Sequence, residues 1–162
     1  GFNIMAIELR WADQQAPMAW PSFPPVTLET TAAVSDIALK VTFADYTSFE
    51  SRLAWQNAIA LTPQDVGFYS LLFDAESLKS EFKTISGSAS YLPAGQGKKQ
   101  NVTFAFSAAQ WQAIWWINAH AAGLNGRVDY RWQGKTAALF PKNYDSGPLQ
   151  ATTGPIKLQY HK

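Results

Sequence analysis

The side chains best suited to chemistry in this chain are few and scattered. His120 and His161 are its only histidines. A metal site on a helix would place a second ligand one turn from His120, and position 116 is Trp. His120 is instead expected near a helix C-terminus, where it interacts with the macrodipole, and His161 on the surface at the end of the chain. Asp74 with Glu76, and Asp45 with Glu50, are the closest carboxylate pairs, and paired carboxylates are the acid and base of glycosidases. Both pairs fall in expected loops or caps, where acidic residues serve solvation and N-capping. GQGKK at 95–99 resembles a phosphate loop but lacks the G-x-x-x-x-G-K-[ST] spacing and a following helix, so it reads as a hairpin tip. No G-x-S-x-G elbow supports a serine nucleophile. Asn101-Val102-Thr103 matches a glycosylation sequon, but within an expected strand. The expectation is a protein that is not an enzyme, with no catalytic, metal or cofactor residue.

Composition narrows the partners. Thirteen basic and twelve acidic residues leave a net charge of +1, which gives no field to draw in nucleic acid or an anionic membrane. Charged residues make up 15% of the chain, well under the usual quarter, and hydrophobic residues 47%. A surface so poor in charge is expected to face another protein or a sugar. There is no cysteine, hence no disulfide and no thiolate-bound zinc. The longest apolar runs, such as Val66 to Phe73, are far shorter than the ~20 residues of a membrane span. The opening GFNIMAIELR lacks the basic and long apolar regions of a signal peptide.

The elements that must position these groups read mostly as strands. Met5, Ile7, Leu9 and Trp11 alternate with polar or small residues, as do Ile37, Leu39, Val41 and Phe43. Between them, Pro17, Pro21, Pro24 and Pro25 forbid a regular element, so 12–35 reads as an extended arm carrying Trp20 and Phe23. Thr47 with Glu50 fits a capping box for a short helix over part of 45–61, although LAWQNAIAL also alternates. VGFYSLLF at 66–73 is a strand buried on both faces, and Phe82 to Tyr91 a further strand.

Val102, Phe104 and Phe106 share one strand face. Ser107 and Gln110 then fit a capping box and Gly123 a C-cap, which predicts a helix over 108–122. Its apolar stripe carries Trp111, Ile114 and Trp115, with Trp116 turned away from the stripe toward His120. Val128, Tyr130 and Trp132 form the next strand. Gln133-Gly134 has the length of a hairpin loop, Lys135 to Phe140 forms the return strand, and Ile156 to Tyr160 the last. The expected fold is α+β: a single domain over 1–162, with a bent antiparallel sheet or partial β-barrel packed against one long helix.

Aromatic residues make up 14% of the chain. Trp and Tyr stack on sugar rings and are also enriched at protein interfaces. Trp111, Trp115 and Trp132 are expected in the core. Trp20, Phe23 and Trp116 are the interface candidates, two on the arm and one off the helix stripe.

A strand ending in T-F-x-F, then S-A-A-Q-W, a helix carrying W-W-I and A-H-A-A-G, and then a strand V-D-Y-R-W, within about Phe82 to Phe140, resembles the small minor tail and tail-tip proteins of long-tailed bacteriophages. That resemblance implies a structural component of a virion tail that self-associates or binds neighbouring virion proteins through an arm or an edge strand. The alternative is a carbohydrate-binding module that holds a glycan on exposed Trp or Tyr.

Overall fold

A computed structural model describes residues 4–11, 26–28, 33–95 and 97–161, with Trp11 and Val26 described by their backbone alone. The described residues are mostly β: strands hold 58% of them and helical turns 5%. The expected α+β class and the 108–122 helix are therefore both corrected. The two helical segments among the described residues are short 3-10 turns, Pro63–Val66 and Glu76–Leu78.

Three sheets stack in layers. The first holds β1 (Ile4–Trp11), β3 (Asp36–Phe43) and β4 (Ser48–Ala54). β1 runs parallel to β3, and β4 antiparallel to it. β2 (Val26–Thr27) and β5 (Ala58–Ile59) form a separate short pair. The central sheet is β6 (Phe68–Asp74) between β9 (Gln112–Asn118) and β13 (Ile156–Lys157). The third is the largest, built on β7 (Phe82–Pro93), β8 (Gln100–Ser107) and β10 (Gly126–Thr136), with β11 (Asn143–Asp145) and β12 (Leu149–Ala151) both pairing β10.

The larger core lies between the central and third sheets. Leu71, Phe73, Trp115 and Ile117 face Ile85, Tyr91, Phe104, Phe106, Val128 and Trp132. Phe73 is the pivot, stacked on Phe104 at 4.5 Å and on Trp115 at 6.3 Å. A second core lies between the first sheet and the other face of the central one: Leu39, Val41, Phe43, Val66 and Phe68, with Trp116 packed against them.

This layering explains the misread helix. From Trp111 to Ile117 the odd positions point into the larger core, while Trp116 on the even face is taken up by the second one. The even face is apolar too, with Ile114 45% exposed and Trp116 half-buried, so the sequence shows a continuous apolar run that periodicity cannot distinguish from a helix. The supposed capping box is a tight turn: Gln110 N–H donates to the Ser107 carbonyl at 3.1 Å. Ala108 has φ of 52°, a left-handed conformation that cannot open a right-handed helix. Gly123 caps nothing, since β9 has already ended at Asn118.

Two further expectations change for local reasons. The short helix within 45–61 is strand β4, whose Phe49 and Leu53 pair across from Val41 and Ile37. Gln133-Gly134 is no hairpin loop, because β10 runs unbroken through it to Thr136. Gly134 is there for space: a Cβ would sit 2.5 Å from the Phe82 ring. The return strand at 135–140 is absent, and 137–142 is a loop leading to β11. Most of the arm at 12–35 lies outside the described residues.

Candidate functional site

Titratable groups converge at one place that no local motif announces. The Thr47 hydroxyl lies 2.5 Å from Asp45 Oδ1 and 2.6 Å from His120 Nε2. Thr47 N–H donates to the same carboxylate at 3.1 Å. Asp45 and Thr47 belong to the β3–β4 turn and His120 follows β9, so the cluster joins the first sheet to the central one. Phe43 packs edge-on to the imidazole at 5.2 Å, and a Cβ on Gly97 would lie 2.8 Å from it, so the ring is enclosed on several sides.

Proton placement decides what this cluster can do. The hydroxyl has one proton, and it goes to the Asp45 carboxylate. His120 then donates from Nε2 to Thr47 Oγ1, and its buried Nδ1 has no partner. Burial pushes the imidazole below the ordinary histidine range, against the pull of the Asp45 charge. Burial alone would raise Asp45, but the Thr47 hydrogen bonds and the His120 charge leave its carboxyl below the usual range. In a nucleophilic triad the imidazole takes the hydroxyl proton and the carboxylate orients the other ring nitrogen. Here the carboxylate sits on the hydroxyl instead. The geometry is that of a clasp between layers, and it replaces the expected helix-end role of His120, whose φ of 50° is left-handed. No group of three or more His, Asp or Glu among the described residues could hold a metal.

The outer side of the third sheet is a different kind of surface. Ser86, Ser88 and Ser90 of β7 pair with Gln133, Arg131 and Asp129 of β10 on one side and with Ala105, Thr103 and Asn101 of β8 on the other. Short side chains along the middle leave an open groove of about 880 Å³, walled by Asp129, Arg131 and Pro148–Gln150. Arg131 is held by Asp145, at 2.6 Å and 2.9 Å, and that pairing draws the Asp145 carboxyl down to about 2.

The sheet edges also differ from one another. β1 carries Glu8 and Arg10, and β4 carries Glu50 and Arg52, as edges that resist pairing usually do. β8 carries no charge and no proline over eight residues. From Asn101 to Phe106, no backbone hydrogen bond from another described residue reaches the side of β8 turned away from β7. β9 is also uncharged, but Gln100 and Gln110 side chains occupy both ends of its edge.

Of the interface candidates, Trp20 and Phe23 lie outside the described residues. Trp116 is half-buried against the second core. The two fully displayed apolar neighbours are instead Leu139 and Phe140, 89% and 80% exposed on the β10–β11 loop. Sequence reading placed them in a strand; the signal against that was Pro141 directly after them. The clasp had no comparable signal, since 73 residues separate Thr47 from His120.

No protein-family model, no curated protein and no solved structure matches this chain.

Proposed function

We propose that this protein is a non-enzymatic structural subunit of a phage-tail-like particle, and that it assembles by pairing sheet edges with neighbouring subunits. The observation that carries the reading is the β8 edge: eight residues, uncharged, without proline, meeting β9 at its two ends and making no backbone hydrogen bond on that side from Asn101 to Phe106 among the described residues. Alternate residues along such a strand turn their N–H and C=O groups outward, and another strand satisfies them at little cost. A long edge of this kind left bare in solution promotes aggregation, and a subunit built for assembly has a use for it. Of the strand–helix–strand order behind the tail-protein resemblance, the two flanking strands are present and the helix is replaced by β9, so the reading leans on the β8 edge.

The glycan-binding alternative has less support. Among the tryptophans with described side chains, Trp111, Trp115 and Trp132 are buried and Trp55 and Trp116 half-buried, and of the tyrosines only Tyr46, 91% exposed on the β3–β4 turn, offers an open ring.

The test is absolute mass by light scattering coupled to size exclusion, across a range of concentrations, for the wild type and for Ala105→Lys. Ala105 is exposed on β8, so the lysine burdens the edge and leaves the core untouched. The wild type is expected to form discrete multimers that the substitution weakens. A strict monomer at every concentration would remove self-assembly from the reading.

A further inference from the structure

We infer that the Leu139–Phe140 loop of one copy seats in the groove on the outer face of the third sheet of the next copy, joining subunits head to tail. This rests on the assembly reading above and adds a second contact to it.

The loop is built to hold its tip out. Thr136 N–H donates to the Lys142 carbonyl at 2.9 Å, and Lys142 N–H to Thr136 Oγ1 at 2.9 Å, which closes the base. Ala137 N–H donates to the Glu81 carbonyl at 3.0 Å and ties the ascending limb to the strand below. A tip fixed in this way loses little conformational freedom on binding. Single exposed apolar side chains are ordinary, but a preformed pair this exposed marks a contact surface.

The receiving groove matches in size and chemistry. Its 880 Å³ is within the ~300–1,000 Å³ range of binding clefts. Its floor is the carbon of Ser88, Ser90 and Thr103, one wall is Pro148 and Leu149, and Asp129 stands at the rim. Arg127 holds that carboxylate at 3.0 Å, and Lys135 and Lys142 at the base of the loop, which make no ion pair among the described residues, would share it with Arg127 when the loop is seated. The loop cannot reach its own groove. Both belong to the same sheet, and the six steps of β10 from Tyr130 to Thr136 hold them ~20 Å apart. A projection and a groove at separate places on one surface make a heterologous contact, which propagates into a ring or a filament.

The test uses two exposed-site variants, Leu139→Ser/Phe140→Ser without the tip and Ser88→Glu with a charge on the groove floor, and reads their masses by analytical ultracentrifugation. Glu at 88 faces Arg131 across the strands, so the fold tolerates it, and circular dichroism matching the wild type verifies both. Each variant alone is expected to associate roughly tenfold or more weakly than the wild type. With the β8 edge also blocked by Ala105→Lys in both variants, a 1:1 mixture is expected to recover dimers that grow no further, because only one tip and one groove remain intact per pair. Phe140→Leu, which keeps an apolar tip, is expected to assemble.

Wild-type mass in both variants, with loss only in Ala105→Lys, would overturn the inference and leave the assembly reading standing. A wild type that is monomeric at all concentrations would overturn both. Loop-dependent sedimentation with phosphatidylserine vesicles, in the absence of self-association, would assign the tip to lipid and overturn the head-to-tail contact.

Discussion

Gln100 occupies the position where two sheets meet, and its substitution tests the architecture directly. Its Nε2 donates to the Asn118 carbonyl at 2.8 Å, and Asn118 N–H donates to its Oε1 at 2.9 Å. The side-chain amide thereby stands in for a partner strand at the end of β9. At the other end the two strands are joined by the Ser107–Gln110 turn. Gln100→Ala removes both bonds from a half-buried site, and at ~0.5–1.5 kcal/mol each the loss is about 1–3 kcal/mol. For a chain of this size each kcal/mol moves the melting temperature by ~2–4 °C, so a fall of roughly 2–12 °C is expected.

Gln100→Glu sharpens the test. At pH 7 its carboxylate keeps the acceptor for Asn118 N–H but faces the Asn118 carbonyl with no donor, so it is expected to be less stable than wild type. Repulsion from that carbonyl raises the folded-state pKa of the new carboxyl above the ordinary ~4.3 of glutamate. Stability from its protonated form is then fully present below pH ~4.3 and is lost as pH rises through the folded pKa. Urea unfolding of the three proteins at pH 7 and pH 4 reads this out. Gln100→Glu equal to wild type at pH 7, or no recovery relative to Gln100→Ala at pH 4, would refute the Gln100–Asn118 pairing and with it the placement of β9.

Two further outcomes follow from the layered core and from the histidine. His120 has a depressed pKa, so protonation is resisted in the fold and accepted when unfolded. Stability is therefore expected to fall as pH drops through the unfolded histidine pKa of ~6.5, and His120→Gln should abolish that slope in urea titrations between pH 7.5 and 5.5. Trp115 is 1% exposed beside Phe73, whereas Trp116 is half-buried. Trp115→Ala is expected to cost ~3–5 kcal/mol and Trp116→Ala clearly less, and equal losses in equilibrium unfolding would contradict a strand with unlike faces.

Sequence alone determined those elements whose two faces have different surroundings. Met5 to Leu9 and Ile37 to Phe43 alternate because one face meets a core and the other meets water, and both are strands as expected. The same holds for Val102 to Phe106 and Val128 to Trp132, and Trp111, Trp115 and Trp132 are buried as expected. Where an element is covered on both sides, the pattern no longer identifies it. Trp115 and Trp116 are neighbours that enter different cores, and only the stacking of three layers makes that arrangement sensible. Gly134 read as a turn because nothing local shows that the Phe82 ring, 52 positions earlier, needs the space.

Function was less legible still. The lack of charge from Gln100 to Ser107 was visible in the sequence, but its meaning depends on β8 being an edge, which is a property of sheet order. Leu139 and Phe140 look like ordinary strand residues until β10 is seen to end at Thr136. Asp45, Thr47 and His120 form a unit only because the β3–β4 turn is folded onto the end of β9. Alternation is a local consequence of burial and survives in one dimension, whereas edges, grooves and clasps arise from the pairing of distant segments and exist only once the chain is folded.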